Sequence, residues 1–334
     1  MNLEEIKLLR LSGHHLLAQA EPLAAVRDLC GLQAQFLSNA VHGLHIRSGS
    51  TETAGMVKSW TIRGTVHVFA ESDLPLMLHE DRSRFLRPCD TLEADECITK
   101  DRKRYFADLI VEQITAGVDS REELKAVCAA AGMTEREGES VFNAWGGTIR
   151  ALCEAGVLCH KVQEKKAFML CPSFEPMSRE AAELELARRY FTHYGPATLK
   201  DAAYFFGTTQ TRVKQWLARL PVTEAQLGGR TYYYIENGPV DAEMPACLFL
   251  AGFDPLMLGY EKQESLYLPK EHLRGIFNLA GIVMPAVLLH GRVVGKWKRK
   301  GCKLEVTLFE PDVDKRAIEE AARDLWPGAA LQLV

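Results

Sequence analysis

With 334 residues, 47% apolar and 25% charged, the chain has the make-up of a folded protein too long for one core, so two to four modules are expected. A formal charge of −4 excludes the overall basic footprint of a small DNA-binding domain, so any nucleic-acid site must be local. The longest apolar run, Ile282 to Leu289, contains Pro285 and is too short to span a bilayer, and Glu4 and Glu5 stand where a signal peptide needs positive charge; a cytoplasmic protein with no membrane contact is expected.

In chain order, one supersecondary theme recurs: helix, turn, helix, then a pair of strands. Asn2 to His15 reads as a helix, Pro22 opens another through Cys30, Leu37 to Ile46 continues helical, and the β-branched Thr65 to Phe69 reads as a strand. Ser120-Arg-Glu-Glu123 is a capping-box pattern that starts a helix through Ala130, and Gly132 ends it. From Glu135 a longer helix is predicted, with Phe142, Trp145, Ile149 and Leu152 at helical spacing and Gly156 as its stop. Val157 to His160 and Ala167 to Cys171 then read as a hairpin around Glu164-Lys-Lys166.

The order repeats a third time. Arg179 to His193 is a helix, Thr198 starts a second that stops near Gly207, and Thr208 or Thr209 caps a third through Leu220; strands follow on either side of Gly228-Gly229. After Asn237-Gly-Pro239 come short β-like runs at Cys247–Ala251, Ile282–His290, Arg292–Trp297 and Leu304–Phe309, and a final helix from Val313 to Leu325. The fold class expected is α+β: tandem winged-helix modules (helix-turn-helix plus β-hairpin) at 1–95, 96–177 and 178–240, and a C-terminal β-rich domain at 241–334.

Three segments can carry chemistry. Gln33 and Gln35, in Gly31-Leu-Gln-Ala-Gln-Phe36, offer two amides at i and i+2, each with an acceptor and a donor and without a titrating charge. They can cap backbone where helices meet or orient water and polar substrate atoms. Arg63 and His67 flank Gly64 at even spacing, so a strand would turn both to one face, toward a phosphate or base, or Arg63 could pair with Glu71 or Asp73. Between Gly291 and Lys303 there are six cations and no acid, with Trp297 among them, which suits a solvated hairpin or a phosphate contact.

Other chemistries lack their signals. There is no G-x-S-x-G, Walker loop, G-x-G-x-x-G or H-E-x-x-H. His42 and His45 lack a third ligand at recognisable spacing, and the nine cysteines, Cys89 among them, have no CxxC pair and fall mostly on apolar patterns, as reduced buried thiols do. Asp254, before a proline, suits a turn or a site carboxylate. No metal and no cofactor are expected.

Gly31-Leu-Gln-Ala-Gln-Phe36, Arg63-Gly-Thr-Val-His67, Phe253-Asp-Pro-Leu-Met-Leu-Gly-Tyr260 and His290-Gly-Arg-Val-Val-Gly-Lys-Trp297, in this order, resemble the winged-helix family that includes AlkZ-type DNA glycosylases. The resemblance spans nearly the whole chain and implies tandem winged helices in a concave form that clasps duplex DNA. It places the family's catalytic Gln-x-Gln signature on Gln33 and Gln35, with the small Ala34 between them; some relatives carry an aspartate at the second position.

The function it implies is a monofunctional DNA glycosylase for N7-alkylated purines or cross-linked bases. The partner expected is double-stranded DNA, damaged in this reading; the sequence leaves the oligomeric state open with a monomer favoured, and the cytoplasmic protein is expected at the nucleoid when bound to DNA. Candidate DNA contacts are Asn39, Arg47, Trp60, Arg63, His67, Lys296, Trp297, Lys298, Arg299 and Lys300. The alternative is a winged-helix transcription regulator, or another non-catalytic DNA-binding protein.

Overall fold

The computed structural model describes residues 1–61, 63–81 and 92–334; Cys89 and Ile62 lie outside the described residues. The fold is mixed α+β. Elements follow the chain as α1 (Leu3–Gly13), α2 (Pro22–Asp28), β1 (Leu32–Gln33), α3 (Leu37–Ser48), β2 (Met56–Trp60), β3 (Val66–Ala70) and α4 (Leu74–Met77). Next come α5 (Lys100–Thr115), α6 (Arg121–Ala130), α7 (Glu135–Val141), α8 (Gly147–Glu154), β4 (Leu158–His160) and β5 (Phe168–Leu170). Then follow α9 (Arg179–His193), α10 (Leu199–Phe206), α11 (Gln210–Leu217), β6 (Thr223–Leu227) and β7 (Arg230–Tyr234). The last stretch holds β8 (Cys247–Phe249), α12 (Pro255–Leu258), α13 (Leu273–Ile276), β9 (Ala286–Leu289), β10 (Arg292–Lys300), β11 (Lys303–Leu308), α14 (Lys315–Leu325) and β12 (Ala330–Leu333).

Two compact units result, one of Met1–Gln33, Ser38–Glu52 and Leu184–Val334, the other of Ala34–Leu37 and Thr53–Glu183. In the second unit, local chemistry sets the helix starts. Ser120 accepts the N–H of Glu123 at 3.2 Å, and Thr134 with Glu137 forms a reciprocal capping box, each cap being worth roughly 1 kcal/mol. The helices bury Phe106, Ile110, Leu124, Ile149 and Leu152 against Leu158 and Phe168 of the β4–β5 hairpin. The strands of this unit run antiparallel in the order β3-β2-β4-β5, and Lys58 opposite His160 joins the two hairpins.

The long helix expected from Glu135 is broken. Gly146 (φ 122°) and Gly147 (φ 54°) adopt left-handed geometry, and a Cβ on Gly147 would meet the Ser140 carbonyl oxygen at 2.5 Å. The Asn143 side chain accepts the Trp145 N–H at 2.9 Å, so the break is a fixed turn, and Trp145 is 84% exposed instead of continuing the apolar stripe.

In the first unit, Thr198 and Asp201 cap α10, Gly207 closes it in left-handed geometry, and Thr209 caps α11. The sheet order is β12-β11-β10-β9-β8, with β12, which has no sequence signal, parallel to β11. Val287, Val294, Val306 and Ile318 form its core with α14. Arg10 is buried beneath the Tyr260 ring, 3.8 Å from guanidinium to centroid, and donates to the Pro196 carbonyl at 2.8 Å. Among the described residues no helix is long and apolar enough to cross a membrane, and none of their cysteines is bridged.

Candidate nucleic-acid interface

The glutamine segment is shaped by the end of α2. After Asp28 and Leu29 the chain turns through Cys30 (φ 55°) and Gly31 (φ 88°), the Gly31 N–H donating to the Val26 carbonyl at 2.7 Å, and enters β1. Gln33 is 8% exposed, Ala34 is buried, and the Ala34 N–H donates to the Val66 carbonyl at 2.8 Å. A bend at Gln35 and Phe36 then leads into α3, leaving Gln35 exposed. The two amides therefore do not share one strand face, as i, i+2 spacing alone implies. Among the described residues neither amide has a protein partner, so the capping alternative finds no support.

Beside this segment, the turn between β2 and β3 is closed by the Gly64 N–H donating to the Thr61 carbonyl at 2.8 Å, with Gly64 at φ 70°. Arg63 lies in that turn and not in the strand, so the expected alternation with His67 fails. His67 is buried, with Nδ1 2.9 Å from Thr61 Oγ1 and 3.0 Å from the Thr65 carbonyl oxygen. Because a carbonyl can only accept, Nδ1 carries the proton and Nε2 keeps its lone pair. Burial, and next the charge of Arg63, push the imidazole down to about 3, so it is neutral at pH 7 and supplies no cation to a phosphate.

Trp60, at the end of β2, is half-buried against His160 at 5.0 Å between centroids, and the Arg150 guanidinium lies 5.9 Å from its ring. His160, which sequence reasoning missed, is buried between Trp60 and Phe168, has no hydrogen-bond partner on either ring nitrogen among the described residues, and is pushed down to about 3 by burial. Lys58 was missed as well. It is buried on β2 with its pKa lowered by desolvation.

On β10 the charges divide by burial. Lys298, Arg299 and Lys300 are exposed and Lys296 is half-buried; Lys298 pairs with Glu305 at 2.8 Å, and Arg299 lies 5.5 Å above the Trp326 ring. Trp297 is an anchor of the fold instead of a presented contact. Its Nε1–H donates to the Leu250 carbonyl at 2.9 Å, and its ring packs on His42 and Trp326, both at 4.9 Å.

Arg47 is also corrected. It is fully buried, donates to Asp254 at 2.7 and 3.1 Å and to the Gly43 carbonyl, and so has no surface to offer DNA. Asp254 in turn caps α12, accepting the Leu256 N–H at 2.9 Å. Asn39 is half-buried against Gly252, where a Cβ would sit 2.6 Å from its Nδ2. His42 donates through Nε2 to the Phe249 carbonyl at 2.7 Å, and burial holds it at about 4. Among the described residues two groups of side chains could share a metal ion, and neither includes a residue named above as a catalytic or DNA-contact candidate.

Known proteins are similar to this chain in fold and in sequence. The solved structure of the Streptomyces sahachiroi DNA glycosylase AlkZ superposes with a TM-score of 0.75 over 100% of both chains at 22% identity. An interstrand DNA cross-link repair glycosylase of Streptomyces sahachiroi is 26% identical over 347 residues, covering 94% of this chain and 92% of the relative. The family model described as DNA glycosylase AlkZ-like matches residues 26–326, a span that holds both glutamines and every candidate contact, and the chain belongs to that family.

Proposed function

We propose that this protein is a monofunctional DNA glycosylase, built on tandem winged helices, that releases N7-alkylated or cross-linked purines from damaged duplex DNA through Gln33 and Gln35. One observation carries the reading: the side chains available for proton transfer here, Gln33, Gln35 and His67, are all neutral at pH 7. Gln33 and Gln35 do not titrate, and His67 is held at about 3. Such a set can neither protonate a leaving base nor act as a strong base at pH 7.

An N7-alkylated purine arrives with its own positive charge and departs as a neutral base, so it needs no acid. What remains is to stabilise an oxocarbenium-like sugar and hold water at its anomeric carbon. The Gln33 and Gln35 carbonyl dipoles supply the first and their hydrogen bonds the second. The exposed Lys298, Arg299 and Lys300 supply sequence-independent attraction for the phosphate backbone.

The test is release of 7-methylguanine from a duplex under single-turnover conditions. Wild type is expected to release it, and Gln35→Ala to slow release by about 100-fold, the scale of removing one preorganised dipole. Equal release by Gln35→Ala and Gln33→Ala would remove the glutamines from the mechanism.

A further inference from the structure

The ends of three helices in the first unit meet at His15, Asp28 and His193. Asp28 Oδ2 lies 2.8 Å from His15 Nε2, Asp28 Oδ1 lies 3.4 Å from His193 Nε2, and the three donor atoms are all within 4.8 Å of one another. We propose that these residues form a site for one divalent cation of the zinc class, which clamps the three helix ends and anchors the segment leading to Gln33.

Four features favour a cation over a simple histidine–carboxylate pair. First, the donors are two imidazoles and one carboxylate, the set that suits zinc and its neighbours; the two imidazole nitrogens lie 2.8 and 3.4 Å from the two Asp28 oxygens, and one donor atom from each residue lies within 4.8 Å of the others, close to the roughly 3.3 Å separation implied by tetrahedral bonds of 2.0–2.1 Å. Second, Asp28 is the last residue of α2, where the helix dipole disfavours an acid, while His193 is the last residue of α9 and His15 follows α1. Three helix C-termini thus gather their carbonyl ends around one carboxylate, an arrangement that a bound cation relieves.

Third, His15 stands at φ 55° in the left-handed position that glycine ordinarily takes after a helix, with its N–H donating to the Ser12 carbonyl at 2.9 Å. A histidine held there sends an imidazole, which glycine lacks, toward Asp28. Fourth, the frame is fixed before any ion arrives. A Cβ on Gly13 would fall 2.3 Å from the His193 carbonyl oxygen, so only glycine lets α1 approach α9 this closely. Tyr194 donates to the Leu29 carbonyl at 2.8 Å and Arg189 to the Arg27 carbonyl at 2.9 Å, gripping α2 on both sides of Asp28. The neighbouring Arg188 and Arg189 are both paired with Glu185, which moderates their repulsion of a cation.

From Asp28 the chain reaches Gln33 through only Leu29, Cys30, Gly31 and Leu32, so a bound ion fixes the origin of the glutamine segment. These residues are positioning residues. Binding is read without reference to glycosylase activity, so its failure and the failure of the proposed function remain distinct.

The experiment is titration of tag-free, EDTA-treated, full-length protein with Co²⁺, followed by visible absorption and calorimetry, with Zn²⁺ as competitor. One equivalent is expected, displaced by Zn²⁺, together with a rise in melting temperature on Zn²⁺ addition. Asp28→Asn and His193→Gln, each with far-UV circular dichroism matching wild type, are expected to weaken binding by about 10–100-fold and to lose the thermal shift. His272→Gln, in the Glu271–His272–Glu310 cluster, is expected to leave both unchanged. No binding by wild type at millimolar Co²⁺, or loss of binding in His272→Gln with retention in Asp28→Asn, overturns the proposal.

Discussion

The β2–β3 hairpin and the strand β10 both carry basic and aromatic residues that read as DNA contacts, yet each buries them differently. On β10 Lys298, Arg299 and Lys300 stay in solvent and Trp297 packs partly buried against the core; in β3 His67 is buried, stripped of charge and hydrogen-bonded to Thr61 and Thr65. The difference lies in the strands. β10 is buried in its first half, against the core that includes α14, and runs out into solvent over Lys298, Arg299 and Lys300, whereas β2 shows buried residues at four successive positions and β3 at all five. In the proposed function, attraction for phosphate and neutrality for chemistry fall to different parts of the chain.

The largest expected effect comes from behind β10, where Arg47 belongs to neither class. Arg47→Ala strands the Asp254 carboxylate in the core and should lower unfolding free energy by roughly 3–5 kcal/mol in denaturant titration, whereas truncating the exposed Arg299 should change it by less than about 0.5 kcal/mol. Equal effects would erase the distinction between structural and surface arginines. Next in size is the roughly 100-fold loss of base release in Gln35→Ala, about 2.7 kcal/mol, expected with no change in duplex affinity.

A pH scan sharpens the β3 side. His67 and His160 are held at about 3 in the folded chain, below the ordinary histidine value of 6.5, so the unfolded chain takes protons that the folded chain refuses. Stability is therefore full above pH 6.5 and declines as pH falls toward 3, by up to about 1.4 kcal/mol per pH unit for each histidine. Unfolding titrations at pH 7 and pH 5 should show this decline, and His160→Gln should flatten it. The smallest effect belongs to β10. Replacing Lys298, Arg299 and Lys300 by alanine should weaken duplex binding uniformly across sequences and shallow the log–log salt dependence by about 0.9 for each phosphate that is no longer neutralised, with the single-turnover release rate unchanged.

Local signals were readable in the sequence. The caps at Ser120, Thr198 and Thr209 lie where the residue types place them, because a cap depends on neighbours three positions away. The broken α7–α8 segment misled because Phe142, Trp145, Ile149 and Leu152 keep helical spacing across a glycine turn. What depends on distant chain was not legible. Arg47 looked like a surface cation until Asp254 closed on it, Trp297 looked exposed until Trp326 packed on it, and β12 had no signal apart from its pairing with β11. The same holds for the metal-donor cluster, where His15 and His193 meet at Asp28 only after α1, α2 and α9 pack. The glutamines were visible from the start, whereas the bend separating their burial was not.

The central claim is that a neutral site demands a substrate that brings its own charge. The direct measurement is the rate of base release at pH 7 from two otherwise identical duplexes, one carrying 7-methylguanine, which is cationic, and one carrying O6-methylguanine, which is neutral. The account predicts release of 7-methylguanine alone, at a rate independent of pH between 6 and 8. Comparable release of both bases, or a rate that rises as the solution is acidified across that range, would contradict it by revealing a proton donor that Gln33, Gln35 and neutral His67 do not provide.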